Sequence, residues 1–409
     1  MKLKTTALTL ALLALAACGP GGGGGGGGVT GCNLSGTIDA QVTLTPSACN
    51  PYRVTGDLYV EEPGKLVIEP GTTLEFAQDT GLYVSGHGAL VAVGTAGAKI
   101  LFTGASKVRG YWKGIVFDAD ANSFDNELKY VEIEYAGADQ RWDGGAYGNY
   151  RAALDLESRS RLKMTYSLIR ESAGSGLRMS TDVIIGGDDL RDGDFAHNTV
   201  TQNAGFPVIM YANEVGFLDA SNDFTGNDAG YDYVRFSGDY GYVQTQTWQR
   251  LNVPYRVMGA PATDSGQVLT IAPGATLVFE QDASLWAYGS NSALKAVGTV
   301  TEPITFTALQ PQKGYWYGLI FNDTDSHDNL LHYVVVEYGG AETDPDLKAN
   351  VTVYSSGNAS SQWIEIKNST IQHSSGHGVS VAPETAYNSD ILTSNTFADI
   401  DGDDLHIQP

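Results

Sequence analysis

Short runs in which apolar and polar residues alternate fill the chain after about residue 50, with Gly, Pro, Asn or Asp between them. Leu74-Glu-Phe76, Leu82-Tyr-Val84, Ile100-Leu-Phe102, Ile115-Val-Phe117 and Val131-Glu-Ile133 are such runs. Their period of two predicts strands, and no comparable run carries helical spacing. The runs fall into columns. Gly81-Leu-Tyr-Val84, Gly114-Ile-Val-Phe117, Ala153-Leu-Asp-Leu156 and Gly176-Leu-Arg-Met179 form one column. Leu74-Phe76, Ile100-Phe102, Val131-Ile133 and Leu168-Ile169 form a second. Each rung would place alternate apolar side chains in a shared interior and stack its backbone on the next, as in a solenoid. A β-sandwich is the competing arrangement.

The chain also copies itself over a longer distance. Pro51-Tyr-Arg-Val-Thr-Gly56 returns as Pro254-Tyr-Arg-Val-Met-Gly259, an offset of 254 − 51 = 203. Leu66 to Phe76 returns as Leu269 to Phe279, Leu90 to Thr95 as Leu294 to Thr299, Tyr130 to Tyr135 as Tyr333 to Tyr338, and Ser172 to Leu177 as Ser374 to Val379. These offsets stay between 202 and 204. So small a drift predicts a tandem duplication, with copy one at 51–253 and copy two at 254–409. Gly110-Tyr-Trp-Lys-Gly114 and Gly314-Tyr-Trp-Tyr-Gly318 occupy equivalent places, each just before an apolar strand. That placement marks a turn and packing element, with Trp112 and Trp316 covering the solenoid.

Asn198-Thr-Val-Thr-Gln-Asn203, Asn222-Asp-Phe-Thr-Gly-Asn227 and Asn395-Thr-Phe397 read as turns, because Asn tolerates left-handed backbone angles and can bond to neighbouring turns. With Ser374-Ser-Gly-His-Gly-Val379 they resemble the repeats of the pectin-lyase-like superfamily. The resemblance implies an all-β, right-handed parallel β-helix. It implies no particular activity, since that superfamily holds lyases, hydrolases, adhesins and surface proteins.

The N-terminus is a targeting segment. Lys2 and Lys4 precede an apolar run from Ala7 to Ala17 that is too short to span a bilayer. Leu15-Ala16-Ala17-Cys18 resembles the lipobox of bacterial lipoproteins, which implies cleavage before Cys18 and acylation of that cysteine. Gly21 to Gly28 is then a tether between anchor and body. The expected organisation is a signal peptide at 1–17, an acylated cysteine and tether at 18–31, an N-terminal cap at 32–50 and the two β-helix copies. The charge, 24 − 47 = −23, becomes 22 − 47 = −25 once Lys2 and Lys4 are removed. So acidic a chain is not expected to bind nucleic acid or anionic lipid through bulk electrostatics. Acyl chains on Cys18 would hold it at a bacterial envelope membrane, and stable anchoring takes more than one chain. Cys32 and Cys49 are expected to pair in that exported compartment.

Three kinds of chemistry compete. The resemblance directs attention first to polygalacturonase-type hydrolysis. Fragments of that pattern exist at Gly86-His87-Gly88, Gly376-His377-Gly378, Asp188-Asp189 and Asp403-Asp404, but in the wrong order and without Arg-Ile-Lys. Both Gly-His-Gly elements therefore read as turns. The second is calcium-assisted lysis of an acidic polysaccharide. Asp188, Asp189, Asp192 and Asp194 form one acidic turn, and Asp399, Asp401 and Asp403 another; glycines let such loops bend around a hard cation. Arg191 would be the base. Solvated acidic turns are the alternative reading.

The third is glycan binding. Asp139 to Tyr150 has only Glu342-Thr-Asp-Pro-Asp-Leu347 as its counterpart. An insertion that stacking does not require is a better functional suspect than a repeated residue. Trp142, Tyr147 and Tyr150 offer flat faces, and Asp139, Arg141 and Asp143 could bond hydroxyls. A loop folded back with its aromatics packed is the alternative. The favoured expectation is a lipid-anchored, non-catalytic envelope β-helix for adhesion, structure or glycan binding, with a calcium-assisted lyase second.

Overall fold

The computed structural model describes residues 28–142, 145, 147–185, 194–239, 241–356 and 362–409. Cys18, Asp143, Asp188, Asp189, Arg191 and Asp192 lie outside them. Nearly every regular element is a strand, and nearly every pairing is parallel. The chain winds as a right-handed parallel β-helix, the hand that right-twisted strands favour for parallel connections.

Each coil has three faces. In the first half, the first face stacks Thr73–Phe76, Ile100–Gly104, Val131–Glu134, Leu168–Arg170 and Thr199–Thr201. The second stacks Gly81–Val84, Gly114–Phe117, Ala152–Leu156, Ser175–Met179 and Val208–Tyr211. The third stacks Gln41–Leu44, Lys65–Ile68, Ala89–Val93, Glu127–Lys129 and Arg161–Thr165.

Alternation decides which side chains face inward. Leu74, Phe102, Ile133, Ile169 and Val200 form one inward row and are fully buried. Each such burial stabilises the native state by about 1.5–3 kcal/mol. Leu82, Ile115, Leu154 and Leu177 align in the register that the sequence predicts for the second face. The first face differs at one step. Leu74 lies opposite Phe102, not Ile100, so this strand is displaced by two residues. A shift of two keeps the same side chains inward, so the alternation alone cannot detect it.

The ladders also show how the halves meet. The second-face ladder runs from Val208–Tyr211 through Val234–Ser237 to Tyr255–Met258 and then Thr276–Phe279. Thr276–Phe279 is the sequence counterpart of Thr73–Phe76, which belongs to the first face. The second set of coils is therefore stacked one face out of phase with the first. The 203–254 stretch makes that change and includes the 3-10 turn Ala212–Phe217.

The turns correct one expectation. Asn198 and Asn222 do bond across coils: Asn198 Oδ1 accepts the Ser167 amide at 3.1 Å, and Asn222 Oδ1 accepts the Asn198 amide at 2.9 Å. At Asn198, however, the left-handed position falls on the residue before. Tyr130, Tyr166 and His197 have φ of 48°, 54° and 56°, and their rings stack outside with centroids 5.0 and 4.6 Å apart. Left-handed backbone costs a non-glycine residue about 1–2 kcal/mol, and the aromatic stack offsets part of it.

At the N-terminal end, Cys32 and Cys49 are joined by a disulfide. A loop of separation 17 stabilises by about 3 kcal/mol through the unfolded chain. Val29–Thr30 pairs antiparallel with Asn33–Ile38 and so occupies that strand's outer edge. The last strands are Thr396–Ala398 and Leu405–Ile407.

Candidate functional site

The 139–150 segment leaves the corner between the first and second faces. Arg141–Trp142 pairs antiparallel with Asn149–Tyr150, so the insertion is a small hairpin. Its base is tied to the outward row of the second face, where Val116, Asp155 and Arg178 are neighbours in register. The Tyr150 hydroxyl donates to Asp155 at 2.7 Å. Arg141 reaches Asp155 at 3.2 Å and Glu157 at 2.9 Å, and Arg178 reaches the same two carboxylates at 3.2 and 2.9 Å. The Arg178 guanidinium also lies over the Tyr150 ring, 4.9 Å from its centroid.

Burial controls the protonation here. It pushes the Asp155 carboxyl above its ordinary range, against the pull of Arg178 and Arg141. Burial, reinforced by Asp155, raises the Tyr150 phenol as well, so Tyr150 is a neutral donor and not a base. Arg141 thus anchors the hairpin through Asp155 and Glu157.

Trp142 has another fate: it is 68% exposed. Tyr147 and Tyr150 pack inward with Phe206 and Ile209. Tyr147 donates its hydroxyl to the Met210 carbonyl and meets Tyr211 edge-on at 5.7 Å. Two aromatics of the hairpin are therefore packed and one is presented to solvent.

Between the hairpin and the next coils lies a cleft of ≈ 330 Å³, lined by Tyr147, Tyr150, Phe206, Tyr231, Arg151 and Arg235 among others. Phe206 and Tyr231 meet edge-to-face at 4.9 Å. Arg235 lies over Phe206 at 5.3 Å and Tyr147 at 5.5 Å, and its Nε donates to Glu280 at 2.9 Å. Arg256 shares Glu280 at 2.7 Å. Burial raises the Glu280 carboxyl, but the two guanidinium groups outweigh it and hold it below its ordinary range. Arg151 donates to the Gly137 and Ala138 carbonyls. Among the described residues, no carboxylate lines the cleft. Aromatic faces and fixed donors are groups that can recognise a hydroxylated ligand.

Phe206, Tyr231 and Arg235 were not anticipated as site residues. No spacing in the sequence joins them to Tyr147, because the stacking of coils brings these residues together.

Asp399 and Asp401 both hold Lys313 Nζ at 2.7 Å, and Asp399 also meets His373 Nδ1 at 2.8 Å. Asp403 faces His377 and His406. Asp194 lies 3.4 Å from Lys163. His377 opens the strand His377–Val381, whereas His87 lies in a turn. Trp112 and Trp316 are buried, with no face available to a ligand.

Residues 36–146 match the family model described as a pectate-lyase like beta helix domain. That match spans 111 residues, 146 − 36 + 1, of the 409 and agrees with the parallel β-helix coils described above. Among solved structures, the Dettilon tailspike protein matches at 9% identity and a TM-score of 0.20, over 89% of this chain and 63% of that one. So low a score carries no argument about either protein's activity. No curated protein matches the sequence.

Proposed function

We propose that this protein is a lipid-anchored, non-catalytic component of a bacterial cell envelope that binds a glycan in the cleft beneath the 139–150 hairpin. The observation that carries this reading is the cleft itself. Tyr147, Tyr150, Phe206 and Tyr231 surround it, and Arg151 and Arg235 are each fixed by part of their fork. Sugar rings present apolar faces and hydroxyl edges, which aromatic rings and oriented donors complement. Trp142 stands at the hairpin's outer side as an additional stacking surface. The anchor rests on Leu15-Ala16-Ala17-Cys18 followed by the glycine tether.

Two substitutions test binding without disturbing the fold. Tyr231 is 37% exposed and Trp142 68% exposed, so replacing either with alanine leaves the core intact. On a glycan array, Tyr231→Ala and Trp142→Ala should each weaken the wild-type signal about tenfold, roughly 1.4 kcal/mol. Binding unchanged in both variants would refute the cleft. For the anchor, Cys18→Ala should move the protein from the membrane fraction to the soluble one. Retention at the membrane would refute acylation at that position.

A further inference from the structure

At the C-terminal end of the solenoid, two histidines far apart in sequence meet one carboxylate. His377 opens the strand His377–Val381, and His406 lies on Leu405–Ile407, the strand stacked against it. Asp403 Oδ2 lies 3.8 Å from His377 Nδ1 and 3.6 Å from His406 Nδ1. All three ligand atoms lie within 4.8 Å of one another. Around a tetrahedral zinc with bonds near 2.0–2.2 Å, ligand atoms sit about 3.4 Å apart. The two edges at Asp403 need only a few tenths of an ångström of contraction, and the edge between the histidines, bounded at 4.8 Å, closes with the movement of the rings.

The rings are oriented for such a role from behind. His406 donates Nε2–H to Asp346 at 3.1 Å, which leaves Nδ1 as the lone-pair nitrogen facing Asp403. This is the carboxylate–histidine–metal pattern, in which the outer carboxylate fixes the tautomer and raises the ring's basicity. His377 Nδ1 accepts the Asp403 amide at 2.9 Å, so it too is a lone-pair nitrogen, and the ring also engages the backbone of Pro345. Gly402 makes this approach feasible, since a Cβ there would lie 2.6 Å from His377 Nδ1. Asp403 is 69% exposed, so the cluster opens to solvent on the carboxylate's side.

We propose that His377, His406 and Asp403, with Asp346 behind His406, form a binding site for a borderline divalent transition-metal ion such as Zn²⁺. Two imidazoles favour such an ion over calcium, which takes oxygen ligands almost throughout. Loading requires two local changes. The imidazoles stack at 4.1 Å with planes 8° apart, so at least one must tilt to aim its lone pair at a shared ion. The Asp403 amide must also release His377 Nδ1. Both changes oppose binding. The ion would tie the final coil to the coil beneath it and stabilise the end of the solenoid.

The test uses the full chain and Zn²⁺ or Co²⁺ alone. Calorimetric titration with Zn²⁺ should show one equivalent bound, and the melting temperature should rise; equal Ca²⁺ should do neither. Co²⁺ should develop the visible d–d absorption of a low-coordinate nitrogen–oxygen site. His406→Gln and Asp403→Asn should each weaken Zn²⁺ binding about tenfold or more, with the metal-free melting temperature retained. His373→Gln, outside the cluster, should bind as wild type. Absence of saturable Zn²⁺ binding, or wild-type affinity in both ligand variants, would overturn the site.

Discussion

Trp112→Ala should destabilise the protein by about 3–5 kcal/mol, measured by equilibrium denaturation, while leaving any glycan bound by the remaining native protein with unchanged affinity. Trp112 is fully buried. Its ring stacks on Phe76 at 3.9 Å, and its indole N–H donates to the Glu134 carbonyl at 2.8 Å. Alanine would therefore open a cavity among fully packed rings and leave a buried carbonyl without its donor, and both effects are costly. Trp316 repeats the arrangement, stacking on Phe279 at 3.9 Å and donating to the Glu337 carbonyl at 2.8 Å. Trp316→Ala should cost a similar amount. A coil contacts only its neighbours, so each loss should loosen its own half first, and a broadened unfolding transition would register this. A tryptophan used as a sugar platform would behave in the opposite way, with binding lost and stability kept.

The contrast with Trp142 shows how much the sequence disclosed. Trp112 and Trp316 sit in copied surroundings, and copying pointed to packing; both are buried. Trp142 sits in an insertion without a counterpart, and it is exposed. The second-face register was readable because Gly81, Gly114 and the apolar triplets after them repeat in step. The first-face register was not fully readable, because a slip of two residues leaves the inward pattern unchanged. The phase change between the halves was invisible for a related reason. Matching sequences specify matching coils, but they do not say which face of one coil stacks on which face of another. The cleft and the histidine pair depend on such stacking. Phe206 and Tyr231 meet Tyr147 through coil geometry, and His377 meets His406 across 29 positions, 406 − 377. No local spacing announces either.

Arg178 is where sequence reading would mislead most, since an arginine on an outward row normally belongs to solvent. Here it is 2% exposed because the hairpin covers it. Arg178→Met should destabilise the protein by about 3–5 kcal/mol near neutral pH, because it leaves the buried Asp155 and the half-buried Glu157 with only Arg141 opposing them. Its dependence on pH separates this loss from that of Trp112→Ala. The folded Asp155 carboxyl already titrates above its ordinary range, chiefly through burial, so the native state binds that proton more tightly than the unfolded chain. Stability therefore falls as pH rises through the interval between the ordinary carboxylate range and the raised folded value, and is regained on acidification. Without Arg178 the raised value moves higher still. The deficit of the variant relative to wild type should then shrink as pH is lowered from about 7.5 toward about 5, whereas the Trp112→Ala deficit should not follow that course. Adding Asp155→Asn to Arg178→Met should recover part of the loss, since it removes the charge left uncompensated. Because Tyr150 and Arg141 hold the hairpin through Asp155, Arg178→Met should also weaken glycan binding in protein that remains folded. A deficit that is independent of pH and unrelieved by Asp155→Asn would mean that Arg178 acts by filling space beneath the hairpin and not by balancing its buried carboxylates.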